Sequence, residues 1–219
     1  MMAVTDIYGC LPTWDQDEDI NSDNAVHGIK WAAGNISKGI YDPMDQSWAG
    51  SYTPIRQCNL VLEKVKDIEM SDESRKKIEG QAYFFRAMQL FDLVRVYGAV
   101  PVVNKVLMAA DREGAKDYNR ESVETCVNQI LSDLKEAANL LPTRKEWGSD
   151  QYGRLTKEAA LAYRSRVALV FASPIFNADW NNTGSKRWKD ALDITLEAQA
   201  FLSSEGYGLY GNSAKDWNE

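Results

Sequence analysis

Cysteine, histidine and proline are scarce in this chain of 219 residues, which has three cysteines, one histidine and six prolines. The cysteines, Cys10, Cys58 and Cys126, are odd in number and far apart, so no disulfide framework is expected and no CxxC pair indicates zinc. With His27 as the one histidine, no histidine metal cluster exists, and no motif marks a Ser-His-Asp or Cys-His site around it. We therefore expect no metal, no cofactor and no nucleophilic catalysis.

Positive charge is also in deficit, because 25 Lys and Arg face 32 Asp and Glu, which gives a net charge of -7 and a pI of about 4.9. An acidic surface repels phosphate, so nucleic acid and anionic membranes are poor candidate partners. No apolar run is long enough to span a bilayer. Only nine residues precede Cys10, too few for a signal peptide, although residues 7–10 faintly resemble a lipoprotein attachment site. Glycine-rich phosphate loops are absent.

An acidic cluster near the start resembles the opening of a calcium loop. Asp15, Asp17 and Asp19 alternate as calcium ligands do, but Ile20 stands where glycine is required and Val26 where a bidentate Glu is required. An EF-hand is therefore excluded, while a looser calcium site stays open beside the simpler interpretation of a solvated acidic run.

What the chain has is a large apolar fraction, 44% with 11% aromatics, which is enough to form a sizeable core. Residues 1–53 are rich in loop-forming residues, and residues 54–210 have helical periodicity. No region shows sustained strand alternation, so the predicted class is all-α with long loops and little or no β-sheet. Helices are predicted over residues 55–68, 71–97, 123–141, 156–174 and 185–202.

Four features of these helices carry further predictions. Ser71 and Thr156 are expected to be N-caps. Cys58 and Cys126 fall on helical patterns and are expected to be small buried hydrophobes. Arg86 and Arg164 are charges on apolar helices, which require carboxylate or carbonyl partners. Phe85-Arg86 and Tyr163-Arg164 occupy similar places in the two most apolar helices, a weak internal echo of the kind that tetratricopeptide repeats show.

Five stretches stand out along the helical region: IRQCNL at 55–60, EGQAYFFRA at 79–87, VYGAVP at 96–101, GRLTKEAA at 153–160 and ASPIFN at 172–177. Together they resemble the SusD/RagB family, and their order, spacing and helix placement fit over about residues 50–210. One departure is Gln81, which stands where the family often has Glu.

The resemblance implies an α-α superhelix of tetratricopeptide-like helix pairs, with residues 1–219 forming one SusD-like helical domain. Members of the family have about twice this length, so we expect the chain to be truncated at both ends. They are lipid-anchored on the outer face of the outer membrane in Bacteroidetes, where they bind oligosaccharides or similar nutrients and pass them to a SusC-like TonB-dependent transporter. They are not enzymes.

The candidate ligand-binding residues lie in the loop-rich region. Sugars stack their C–H faces on aromatic rings and satisfy their hydroxyls with polar side chains. This chemistry indicates Trp31, Tyr41 and Trp48 as stacking residues and Asn35 and Asp42 as their hydrogen-bonding partners, although each ring could instead pack its loop against the scaffold. Weaker candidates are Trp14, the pair Trp147 and Tyr152 in a predicted polar loop over residues 144–153, and Trp180 with Asn181 and Asn182.

Two alternatives to sugar uptake stay open. The first is a helical-repeat module that binds a peptide or protein and no sugar, which a groove without exposed aromatics would favour. The second is an α-helical glycosidase, which would require two carboxylates about 5 to 10 Å apart in an aromatic cleft.

Overall fold

The computed structural model of the chain describes Tyr8 and residues 48–108, 118–176 and 186–209. These residues form helices joined by turns and extended segments, and no strand occurs among them, which confirms the predicted all-α class. The helices are α1 (Trp48–Lys64), α2 (Asp72–Tyr97), α3 (Val123–Leu140), α4 (Arg144–Trp147), α5 (Lys157–Ala172) and α6 (Lys186–Ser204).

The helix ends follow the chemistry of their capping residues. The hydroxyls of Ser71 and Thr156 accept the backbone N–H groups of Ser74 and Ala159 at 3.2 Å each, as predicted for N-caps. The C-terminal end of α2 is closed by Gly98 at a φ of 69°, whose N–H donates to the carbonyl of Val94.

Two predicted loop regions are wrong. The helix predicted to begin after Pro54 begins at Trp48, and the turn before the proline is anchored to the scaffold by the Tyr52 hydroxyl, which donates to the carbonyl of Pro101 at 2.8 Å. The loop predicted over residues 144–153 contains α4, whose capping box joins Thr143 to Glu146, and a 3-10 turn over Ser149–Gln151.

Each long helix packs mainly on a neighbour along the chain: α1 on α2, α2 on α3, α3 on α5, and α5 on α6. One continuous core runs through these pairs, and its largest fully buried side chains include Phe85, Phe171 and Ile130. Cys58 and Cys126 are both fully buried in it, as predicted. None of the helices in the described ranges is long and apolar enough to cross a membrane.

A buried polar network lies inside this core. Arg86 on α2 donates from Nε and Nη2 to the two carboxylate oxygens of Asp133 on α3, at 2.7 and 2.6 Å. Its Nη1 donates to Asn59 on α1 at 2.8 Å, and the amide of Asn59 donates to the carbonyls of Val103 and Lys105. The predicted partner of Arg86 is thus a carboxylate, and the network joins three helices and an extended segment.

Tyr8 links a distant part of the chain to this scaffold. Its hydroxyl donates to Gln81 Oε1 at 2.6 Å and accepts the backbone N–H of Leu155 at 3.2 Å, while its ring packs edge-on against Phe85. Gln81 is buried and its amide donates to the carbonyl of Lys77. A neutral glutamine can therefore satisfy this position without an ion pair.

Candidate functional site

A cleft of about 850 Å³ opens between the segment that joins α4 to α5 and the C-terminal end of α6. The aromatic residues that line it are Trp147, Tyr152 and Tyr207. The charged residues that line it are Arg144, Lys145, Arg154, Glu158 and Glu205.

The rim of the cleft is shaped by a short turn between two glycines. Gly148 and Gly153 have φ values of 77° and 90°, a region that favours glycine, and they flank the 3-10 turn Ser149–Gln151. Between them the chain presents Tyr152, whose side chain is 83% exposed. A ring held so far from the core is available to a ligand.

Trp147 is fixed in place on the opposite side of this turn. Its indole N–H donates to the carbonyl of Leu155 at 2.8 Å, and the Lys77 ammonium lies 5.1 Å from its ring centroid. The ring is half-buried, so it combines a rigid position with an accessible part.

The two carboxylates of the cleft already have partners. Glu158 is buried, and its two oxygens accept the backbone N–H of Arg144 at 3.0 and 3.3 Å. Glu205 Oε2 lies 3.0 Å from the ammonium of Lys145, which ties α4 to the end of α6. These contacts assign structural roles to both carboxylates, so the glycosidase alternative gains no support from them.

The two arginines of the cleft lie over tyrosine rings. The guanidinium carbon of Arg144 is 5.5 Å from the ring centroid of Tyr152, and that of Arg154 is 5.3 Å from the ring centroid of Tyr8. Arg154 also donates from Nε to Gln151 Oε1 at 3.3 Å. The cleft therefore offers flat rings together with guanidinium N–H groups that make no hydrogen bond to any residue in the described ranges.

One further carboxylate stabilises the turn that carries these residues. Glu146 accepts the backbone N–H of Thr143 at 2.7 Å and its hydroxyl at 2.9 Å. These hydrogen bonds, the backbone one first, hold the pKa of Glu146 below its ordinary value. The capping box of α4 is accordingly intact wherever this carboxylate is ionised.

The predicted sugar-stacking residues cannot be compared with this cleft directly. Trp31, Asn35, Tyr41 and Asp42 lie outside the described residues, as do Trp14, Trp180, Asn181 and Asn182. Trp48 is the first residue of α1, and its side chain lies outside the described part of the structure. Their role stays a prediction, whereas the weaker candidates Trp147 and Tyr152 do line one cleft.

The sequence reasoning missed Arg144, Arg154 and Tyr207 as cleft residues. Tyr207 stands between Gly206 and Gly208, a pattern from which only the end of the preceding helix was predicted. An aromatic residue between two glycines after a helix also indicates an exposed ring, and this signal could have identified it.

A second, smaller cleft of about 270 Å³ lies between α3, α5 and α6. Its apolar lining includes Val127, Leu131 and Ile194, and its charged lining includes Glu124, Lys186 and Asp190. Within the described ranges, no group of three or more His, Cys, Asp or Glu side chains is arranged to hold a metal ion.

Fold and clefts together define a class of protein: an all-α scaffold of packed helix pairs that carries a binding cleft on its connecting segments. A family model described as "Starch-binding associating with outer membrane" (SusD-like_3) matches residues 10–169. The chain therefore belongs to the SusD-like family, which confirms the resemblance drawn from its motifs.

Individual relatives agree with this assignment. SusD-like protein P38 of Formosa agariphila is 28% identical over 152 residues, which cover 65% of this chain and 29% of the relative. A crystal structure of a SusD-like protein from Bacteroides fragilis has a TM-score of 0.75 and 27% identity, and the match covers 94% of this chain and 38% of that one. A solved laminarin-binding SusD-like protein has a TM-score of 0.64 at 24% identity, covering 78% and 39% of the two chains. The chain thus spans less than half the length of these relatives.

Proposed function

We propose that this protein binds oligosaccharides or similar nutrients at the cell surface and delivers them to a SusC-like TonB-dependent transporter of the outer membrane. In this proposal it is held by a lipid anchor, faces outward, and acts without catalysis. The observation that carries the proposal is the match of residues 10–169 to a family described as starch-binding and associated with the outer membrane.

The chemistry of the described cleft supports a role in carbohydrate binding. Trp147, Tyr152 and Tyr207 offer flat apolar faces, and neighbouring polar groups can satisfy hydroxyls. The rings are carried by turns on a rigid helical scaffold, an arrangement that protein binding sites use widely. Trp31, Tyr41 and Trp48, with Asn35 and Asp42, stay proposed as a second set of sugar-binding residues.

Calorimetric titration of the purified full chain against a panel of oligosaccharides tests the proposal. We expect binding to at least one glycan, and we expect Trp31→Ala or Tyr152→Ala to weaken it by about tenfold, or about 1.4 kcal/mol. Tyr118→Ala is the matched control, because this ring precedes α3 and does not line the cleft. Absence of binding to every oligosaccharide in the panel would refute sugar binding, and failure to bind a SusC-like barrel would refute delivery to the transporter.

The smaller cleft favours a second candidate function, a helical-repeat module that binds a protein partner. It lies between helices, and its described lining combines apolar and charged side chains without an exposed aromatic ring. Tight binding to a SusC-like barrel together with no binding to any glycan would support this alternative over sugar uptake.

A further inference from the structure

The cleft at the α4–α5 segment has a charge distribution that a site for neutral sugars does not require. The whole chain carries a net charge of -7, yet Arg144, Lys145 and Arg154 all line this one cleft. A local concentration of cations on an acidic protein directs an anionic ligand to that place.

The cations are not all neutralised by their neighbours. Glu205 is paired with Lys145, and Glu158 is buried beneath the rim with both oxygens on the backbone N–H of Arg144. Among the described residues, no carboxylate forms an ion pair with the guanidinium of Arg144 or Arg154. Two exposed acidic residues are close in sequence: Asp150 accepts a hydrogen bond from the Gln151 amide at 3.4 Å, and Glu146 accepts the N–H and hydroxyl of Thr143.

The tyrosine rings determine how these guanidinium groups are presented. The guanidinium carbons of Arg144 and Arg154 lie 5.5 and 5.3 Å from the ring centroids of Tyr152 and Tyr8, so each guanidinium is held against an aromatic ring. A contact of this kind leaves guanidinium N–H groups for hydrogen bonds, and their planar fork matches the oxygens of a carboxylate or a sulfate. Arg154 donates from Nε to Gln151, and its two terminal NH₂ groups make no hydrogen bond within the described part of the chain.

We propose that this cleft binds an acidic sugar unit, with Arg144 and Arg154 taking its carboxylate or sulfate and with Tyr152 and Tyr207 contacting the sugar ring. This inference rests on the proposed function and names its ligand class: uronate-containing or sulfated oligosaccharides. The Lys145–Glu205 ion pair joins the two sides of the cleft, and in this proposal it stays formed when the ligand binds.

A ligand pair that differs in charge alone provides the test. The full chain is titrated calorimetrically with an oligogalacturonate, with its methyl ester of the same length, and with a sulfated oligosaccharide. We expect the acid to bind at least about tenfold more tightly than its ester, since hydrogen bonds between charged groups are the stronger ones. This preference should shrink as the salt concentration rises. Comparison of the acid with the sulfated ligand shows which anion the cleft takes.

Variants then assign the preference to the arginines. Arg144→Gln and Arg154→Gln should each weaken binding of the acid by about tenfold and leave the ester unchanged. Arg154→Lys keeps the charge but loses the fork, so it should recover only part of the affinity. Lys189→Gln is the matched control, because it removes one positive charge near the other end of α6, about 24 Å from Glu205 along the helix.

The outcomes separate this inference from the proposed function. Equal binding of the acid and the ester with no tighter binding of the sulfated ligand, or anionic-ligand binding that is unchanged in both Gln variants, overturns the acidic-sugar site while glycan binding stands. Absence of binding to every charged and neutral glycan overturns both. Circular dichroism spectra and melting temperatures that match the parent protein ensure that a lost affinity reflects the cleft.

Discussion

Asp133 is the residue on which the polar interior depends most. Its side chain is 3% exposed, it holds both N–H groups of the Arg86 fork, and it accepts the Gln129 amide at 2.9 Å. Burial lowers the pKa of Arg86, but the hydrogen bonds and charge of Asp133 outweigh burial and raise it. The guanidinium therefore stays charged, and it needs this carboxylate.

Replacement of Asp133 by alanine should lower the free energy of unfolding by about 3 to 5 kcal/mol, because a buried guanidinium would lose its counter-charge. Urea unfolding followed by circular dichroism measures the change. Asp193→Ala is the control: Asp193 pairs with Lys189 at 2.6 Å on α6, where both side chains are more than half exposed, so about 0 to 1 kcal/mol is expected. Equal losses in the two variants would contradict this account.

The need of Arg86 for a partner could be predicted from the sequence, whereas the identity of the partner could not. A charge on an apolar helix requires compensation, and this follows from the local pattern alone. Asp133 lies 47 residues further on, and it meets Arg86 only because α2 and α3 pack in one particular rotation. Such a rotation is set by side-chain packing along both helices, which a single sequence does not reveal.

At the scale of helices, Gly80 determines how closely α2 approaches the end of α3. A Cβ atom at this position would lie 2.9 Å from Leu141 Cγ and 3.2 Å from Leu140 Cβ, both closer than ordinary contact. Leu141 is 4% exposed and has little room to move. The missing side chain therefore allows the two helices to pack together.

Gly80→Ala sets two effects against each other. Alanine favours a helix over glycine by about 1 kcal/mol, while forcing a methyl group into a packed interface costs about 1 to 3 kcal/mol. Because Leu141 is buried, we expect the steric cost to win and the free energy of unfolding to fall by up to about 2 kcal/mol in urea titrations.

Two further variants check this interpretation. Lys76→Ala, at an exposed position on α2, should have little effect. Combined with Leu141→Ala, the Gly80→Ala change should cost less than it does alone, because the leucine that blocks the methyl group is gone. A Gly80→Ala variant more stable than the parent would contradict this interpretation, because it would mean that Leu141 moves aside for the methyl group at little cost.

Helix positions were predicted well where capping residues and apolar stripes mark them, and poorly where tertiary contacts decide. Ser71 and Thr156 begin their helices as local chemistry requires. Pro54 would ordinarily end or delay a helix, yet α1 runs through it. The hydrogen bond from Tyr52 to Pro101 spans 49 residues, and no local pattern contains it.

For the whole molecule, the family and the all-α class were predictable, and the cleft was not. The family can be identified from motifs that are spread over most of the chain, and these motifs are visible in the sequence alone. The cleft brings Arg144 and Tyr152 together with Tyr207, which lies 55 residues beyond Tyr152 and follows a different helix. Its geometry arises from how α6 returns to α4, so only the folded chain reveals it.

The assembled core also sets how the molecule responds to alkali, through two tyrosines in different helix pairs. Burial, and to a lesser degree the thiol of Cys126, raises the pKa of Tyr52 from 10.0 to about 12. Burial, and then the carboxylate of Asp92, raises the pKa of Tyr163 to about 12 as well. Tyr52 on α1 and Tyr163 on α5 thus keep their protons in the folded state at a pH where the unfolded chain loses them.

Below about pH 10 both the folded and the unfolded chain hold these protons, so the contribution of the two tyrosines to stability is fully present. Between about pH 10 and pH 12 the unfolded chain loses the protons first, so the free energy of unfolding falls. The Tyr52→Phe/Tyr163→Phe double variant has no such protons, so its free energy of unfolding should decline less steeply over this interval in urea titrations. Below about pH 9 parent and variant should show parallel slopes, which separates titration from a general loss of packing. Equal slopes above pH 10 would mean that neither hydroxyl is desolvated enough to matter, and that the helix pairs admit water where the structure closes them.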